Sequence, residues 1–329
     1  MIRKFTPTVA LAAATLVLLA GPALAQQSFR TPEGALLEVN DDLAYPVGAL
    51  SETQLHGTTH HLFRQTSANV FRRFARDMTE QMVAFYVNAL ALRSLNPIQL
   101  TSTQQMILTG VGSGQIKLSA GQQGDRSYDL SGGVTGGTGI RYLRLTYPDA
   151  ATVTGRFTAA GLPAPQFRET AHGAQALVTD PAGLSILIVI DPQAQDHSDD
   201  GVGVGIGVTD VVRSQEFYRE FVGLDELAPM QSEVLGVMVH PFRHQQTTIY
   251  LHQVARGLPA DTGSSGIQYV VSDAPFVAAM AAHRNVAVET PLNRLRGFDL
   301  TTVWLNDPDR VTNYFAQVGP DSRTARGQN

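Results

Sequence analysis

The run VGVGIGV over residues 202–208 alternates β-branched residues with glycine, and this period of two predicts a strand. Thr209-Asp210 ends the alternation and offers a side chain able to cap a helix. Phe217, Tyr218 and Phe221 then fall at helical spacing, and Gly223 stands where a helix end favours a left-handed residue. The same order occurs upstream. Val70, Phe71 and Phe74 lead to Asp77, and the segment Thr79 to Leu92 carries Phe85-Tyr86 and closes on Ala89-Leu90-Ala91-Leu92, where the later copy has Phe221-Val222-Gly223-Leu224.

Between and after these copies the apolar runs are short. Those at Gln105–Thr109 and Gln115–Ser119, separated by Gly110, Gly112 and Gly114, predict a hairpin, and the Gly-, Ser- and Asp-rich stretch 122–139 a loop. A strand over Ile140–Leu145, a helix over Asp149–Ala160 and strands near Gln166–Thr170, Ala174–Val178 and Leu184–Ile190 follow. The acidic segment Asp191–Gly201 reads as a solvated linker; His197 lies in it among Asp196, Asp199 and Asp200. Beyond it come a strand near Val234–His240, a turn at Arg243–Gln246 and a strand over Thr247–His252. Gly266-Ile267-Gln268-Tyr269 echoes Gly139-Ile140-Arg141-Tyr142, and Asn306-Asp307-Pro308 echoes Thr179-Asp180-Pro181, both at an offset of 127 positions. Two anchors at one offset indicate an internal duplication.

Composition narrows the function. The 329 residues carry a formal charge of -5, which argues against a dedicated nucleic-acid surface, and no cysteine, which excludes disulfides and thiolate sites. Arg3 and Lys4, the apolar run Val9 to Ala20 and the small residues Ala23 and Ala25 form a leader pattern, so residues 1–25 are expected to be a cleaved signal peptide. The expected product is periplasmic or secreted, without membrane attachment after cleavage.

The order strand, Asp, Phe-Tyr, Gly-Leu, then a mid-domain Gly-Ile strand and Asp-Pro, found twice, resembles the vicinal oxygen chelate superfamily, which includes glyoxalases, bleomycin-resistance proteins and extradiol dioxygenases. The resemblance covers roughly residues 68–318. It implies an α+β fold of tandem βαβββ modules forming two curved-sheet domains, each sheet a cup around a ligand. The expected division is an N-terminal extension at 26–67, a first domain at 68–191, a linker at 192–201, a second domain at 202–320 and a polar tail at 321–329.

Members of the superfamily hold a divalent metal in the cup, and the resemblance puts the ligand positions at Val70, Gly139 and Leu187 in the first half and Gly203, Gly266 and Tyr314 in the second. None is an imidazole or carboxylate, so no metal and no cofactor is expected there. Strand parity, counted from Gly203, faces Gly205 and Gly207 into the cup, leaving either a roomy floor or one packed by neighbours. Gln268 and Tyr314 fall on inward rows, and Tyr250 and His252 lie on a neighbouring strand; these are the hydrogen-bonding candidates. Arg72 and Arg141 are counted as inward in the first half, either as an anion clamp or as partners of buried acids, and Lys117 suits both pictures. His56, His60 and His61 are assigned to a surface loop or to an element packed on the first domain. The expected function is metal-free binding of a small organic molecule by a monomer or homodimer. The alternatives are a lyase, isomerase or dioxygenase with unusual metal ligands such as His240 or His252, and a degenerate interaction module.

Overall fold

The computed structural model describes residues 50–99, 105–121, 128–198, 200–295 and 299–319, with two-residue strands at 29–30, 36–37 and 39–40. The expected signal peptide, most of the N-terminal extension and the polar tail lie outside the described residues, as does the side chain of His197.

After a short helix α1 (Glu52–Leu55), four modules follow in order. The first has β1 (Asn69–Phe74), α2 (Thr79–Val83) widening into a π-helical turn over Ala84–Ala89, then β2 (Arg93–Gln99), β3 (Gln105–Val111) and β4 (Gly114–Ala120). The second has β5 (Gly139–Tyr147), α3 (Ala150–Ala159), β6 (Arg168–Thr170), β7 (Gly173–Thr179) and β8 (Ser185–Ile190). In the third, β9 (Gly203–Val208) leads to α4 (Val211–Glu216) with its own π-helical turn over Phe217–Val222, then β10 (Met230–Ser232), β11 (Val237–His244) and β12 (Thr247–Gln253). The fourth has β13 (Ser265–Val270), α5 (Ala274–His283), β14 (Val288–Leu295), β15 (Leu300–Asn306) and β16 (Thr312–Val318). Asp149, Asp210 and Asp273 each accept from the third amide of the helix they open, which satisfies an otherwise orphaned donor. Asp77 does not repeat this role, because it sits in a tight turn over Arg76–Met78 ahead of α2.

The modules assemble into two sheets, and each sheet draws one module from either half of the chain. The first sheet runs β14–β15–β16–β13–β1–β4–β3–β2, joining modules four and one. The second runs β11–β12–β9–β5–β8–β7–β6, joining modules three and two. The sheets therefore do not follow the expected division at 192–201. Within every module the first strand lies parallel to the last. Modules meet through antiparallel first strands, with Gly266 opposite Phe71 in one sheet and Gly203 opposite Arg144 in the other.

One continuous apolar core joins both sheets and their helices, taking Val70 and Phe74 of β1, Leu143 and Leu145 of β5, Val204 and Ile206 of β9, Ile267 and Tyr269 of β13, and the helix aromatics Phe85, Tyr86, Phe157, Tyr218 and Phe221. Alternate residues of the same strands face away from this core, into the cups. The segment around α1 serves the second half of the chain rather than the first. Thr59 N donates to Phe221 O of module three, while Arg64 N donates to Val270 O and Ser272 N to Leu62 O in module four.

Candidate functional site

The parity of β1 decides what the first cup contains. Val70 and Phe74 enter the core, so Arg72 points the same way, and Asn69 and Phe71 face the cup. The inward placement expected for Val70 and Arg72 is thus off by one residue, which in a strand moves every side chain to the other face. Arg72 is buried and pairs with Asp180 of module two. Burial alone would lower its pKa, but Asp180 and Tyr86 raise it and the net shift is upward.

A polar row crosses the floor of this first cup. Asn69 Nδ2 donates to Gln268 Oε1 at 2.9 Å, Lys117 Nζ donates to the same oxygen at 2.5 Å, and Gln268 Nε2 donates to Tyr314 Oη at 2.7 Å. Register places them side by side, with Gln268 opposite both Asn69 and Tyr314, and Lys117 opposite Phe71. All but Tyr314, which is half-buried, are buried. Asn69 Oδ1 and Gln115 Oε1 are buried acceptors without a hydrogen-bond partner. Lys117 forms no ion pair with a described carboxylate, and burial brings its pKa down to about 8. Burial also raises the Tyr314 pKa, so its hydroxyl keeps its proton. An aromatic wall stands over the row, with Trp304 5.2 Å from Tyr314 and 5.9 Å from Phe71, centroid to centroid.

The second cup is filled differently. The rings of Tyr142 and Tyr250, with Leu187, Val189 and Val239, pack over its floor. A Cβ on Gly205 would strike the Tyr142 ring, and one on Gly203 would lie 2.8 Å from Arg144 Cβ and 2.9 Å from Tyr250 Cε2. The inward glycines therefore admit neighbouring side chains; of the two readings their pattern allowed, close packing is the one realised. To one side remains a cavity of about 230 Å³ whose lining includes Arg144, Arg243, Asp200, Thr248, Gln246 and Tyr250. Arg144 Nη1 donates to Tyr250 Oη at 3.3 Å. Arg243 and Arg144 belong to one row, through Thr248 and Gly203. Of the two readings open for Arg72, anion clamp or partner of a buried acid, the second is the one found, and the two guanidiniums that line a cavity together are Arg144 and Arg243.

Arg141 and His252 both secure a loop. Arg141 donates to Gly133 O and Asp129 O, at 2.9 and 2.6 Å through Nε and Nη1. His252 Nε2 lies 2.9 Å from Val134 O, so that nitrogen carries the proton, and burial holds the imidazole pKa below its ordinary value. Of the six expected ligand-binding residues, Gln268 and Tyr314 meet in the first cup and Tyr250 lines the second. Arg141 and His252 lace the loop to the second sheet, and Arg72 lies in the core. Sequence parity missed Asn69, Gln115, Trp304, Arg144 and Arg243; counting inward from Phe71 instead of Val70 would have found Asn69, and counting back from Lys117 on its own strand would have found Gln115.

Two sheets, each built of two βαβββ modules joined through antiparallel first strands, can be compared with solved structures. Glyoxalase I of Zea mays is similar at a TM-score of 0.58 and 14% identity, over 76% of this chain and 92% of that one. A candidate dioxygenase of Bacillus subtilis is similar at a TM-score of 0.58 and 14% identity, over 81% of this chain and 91% of that one. The chain has the vicinal oxygen chelate fold. No protein-family model and no curated protein matches the sequence.

The vicinal oxygen chelate fold raises the question of a metal in the cup, and the side chains present do not suit one. Val70 turns into the core, and Leu187 packs against the second cup's aromatics. Gly203 and Gly266 offer no donor atom, and Gly139 lies at φ +97 against Asp261. Tyr314 is a protonated phenol beside the Lys117 network, where an ammonium would repel a second cation. His240 and His252 do not meet in a shared ligand set. Val239 lines the second cup and Phe242 the core, so His240 projects on the core side of β11, while His252 is on the cup side of β12 with Tyr250.

Proposed function

We propose that the chain is an exported protein that binds a small organic acid in the cup of its first sheet, without a metal in that cup. The observation that carries this reading is Lys117, a buried ammonium held by a single neutral acceptor, with hydrogen-bonding capacity left over. An uncompensated buried charge is costly, and an anionic ligand would offset that cost. A carboxylate near Lys117 could also accept from the Tyr314 hydroxyl, while a neutral donor on the ligand would satisfy Asn69 Oδ1 or Gln115 Oε1. Phe71 and Trp304 favour a flat apolar body. Arg144 and Arg243 make the second cup cationic as well, so both cups favour acids. The leader pattern at 1–25 supports export.

Trp304 is the only tryptophan in the chain, so its emission reports directly on the first cup. Titration with aromatic carboxylates, beginning with benzoate and phenylacetate, is expected to give a saturable change in emission that Lys117→Met weakens at least about tenfold. Failure of every acid in a broad panel to shift the emission, or unchanged affinity in Lys117→Met, would overturn the reading.

A further inference from the structure

Outside the cups, two helices far apart in sequence bring three metal-ligating side chains together. Ser51 opens α1 with a capping box, which sets Glu52 in the first turn and His56 at the C-cap, four residues on and over the same face. His283 ends α5. His283 Nε2 lies 3.2 Å from His56 Nε2, and both nitrogens lie 3.6 Å from Glu52 Oε2. The donor atoms converge on one point, and they are the only such group among the described residues.

The triangle has the dimensions of a metal site. Ligand bonds of about 2.0–2.2 Å at a tetrahedral centre put donor atoms roughly 3.3–3.6 Å apart. All three residues reach solvent, leaving a fourth position for water. The frame is held independently of the imidazoles, since Arg284 Nη1 donates at 2.9 Å to both Gly57 O, just past α1, and Glu220 O of module three. We propose that Glu52, His56 and His283 bind one divalent cation of the zinc class, two imidazoles and a carboxylate being a borderline donor set. The ion fastens α1 to α5, and with it the segment that crosses from module three to module four. The site is separate from the cups and does not depend on their ligand.

The test is calorimetric titration of the untagged, chelator-treated full-length protein with zinc chloride, paired with thermal unfolding. Wild type is expected to bind one zinc per chain saturably and to unfold at higher temperature with zinc present. His283→Ala and His56→Ala are each expected to weaken binding by about a hundredfold, and Glu52→Gln by about tenfold. Lys117→Met is expected to leave zinc binding unchanged. The proposal is overturned if wild type shows no saturable zinc binding, or if the His56→Ala/His283→Ala double variant binds zinc as wild type does.

Discussion

Tyr86 donates its hydroxyl to Asp180 Oδ2 at 2.8 Å, while Asp180 Oδ1 accepts from Ala182 N and Leu184 N. The tyrosine belongs to the first sheet and the aspartate to the second. The arrangement recurs with the sheets exchanged: Tyr218 Oη donates to Asp307 Oδ2 at 3.2 Å, and Asp307 Oδ1 accepts from Asp309 N and Val311 N. The Phe-Tyr and Asp-Pro motifs that mark each half are thus the two ends of one buried hydrogen bond. Each joins consecutive modules that lie in different sheets, which explains why both motifs are needed to hold the sheets to a common core.

The two bonds differ in one respect, which Arg72 makes testable. Arg72 neutralises Asp180, and removing it leaves a buried carboxylate without its cation. Arg72→Met is expected to lower unfolding stability by about 3–5 kcal/mol in urea titrations. Adding Asp180→Asn should recover part of that loss, since it removes the stranded charge. Equal stability of Arg72→Met and wild type would show that the pair contributes nothing.

Asp307 has no such cation among the described residues; where β1 turns Arg72 into the core, the core-facing residues of β9 are the apolar Val204, Ile206 and Val208. Burial, only partly countered by the Val311 amide, pushes its pKa up to about 7. The native state therefore holds this proton more tightly than the unfolded chain, whose carboxyl titrates near about 3.9. The contribution to stability is full below about pH 4 and is lost as pH rises through about 7, by an amount on the order of a few kcal/mol. Asp307→Asn should flatten the stability profile between pH 5 and pH 8 relative to wild type. Parallel profiles would place the titration elsewhere.

The modular order was legible in the sequence because alternation, helix caps and the Phe-Tyr and Asp-Pro anchors are local signals. Which modules share a sheet was not, because strand partnership across 199 residues, as between Asn69 and Gln268, leaves no local trace. The first cup was half legible. Gln268 and Tyr314 came from correct parity on β13 and β16, but β1 was counted one residue out of step. Val-Phe-Arg-Arg-Phe supports either phase, and the buried ion pair of Arg72 made a core position look polar. The surface triangle was hidden because His283 is 227 positions from His56 and stands alone in its own segment.

Ala91, two residues past the first π-helical turn, lies at φ +53, and Gly223, just past the second, at φ +87; each precedes a leucine whose amide donates back to the motif tyrosine, Leu92 N to Tyr86 O and Leu224 N to Tyr218 O. A left-handed alanine carries a steric cost that glycine avoids. Ala91→Gly is expected to stabilise the protein by up to about 1 kcal/mol, net of the entropy glycine adds to the unfolded chain. Gly223→Ala should destabilise, since its Cβ would also lie 2.6 Å from Thr58 Cβ. Thermal unfolding of both variants checks the pair, and a destabilised Ala91→Gly would mean that the alanine methyl contributes more in packing than the strain costs.

Lys117 ties pH to both stability and binding, with opposite signs. Its folded pKa of about 8 lies below the usual lysine value, so the native state sheds the proton first. The penalty of the buried charge is fully present below about pH 8 and is relieved as pH rises toward about 10.4, the unfolded value, so this group makes the protein more stable with rising pH across that window. Carboxylate binding needs the ammonium, so affinity should be highest below pH 8 and fall about tenfold per unit above it. Lys117→Met should remove the stability slope between pH 8 and pH 10 and leave the remaining weak binding insensitive to pH. Urea titrations and Trp304 emission on the same samples measure both arms. Loss of affinity above pH 8 that persists in Lys117→Met would assign the titration to another group.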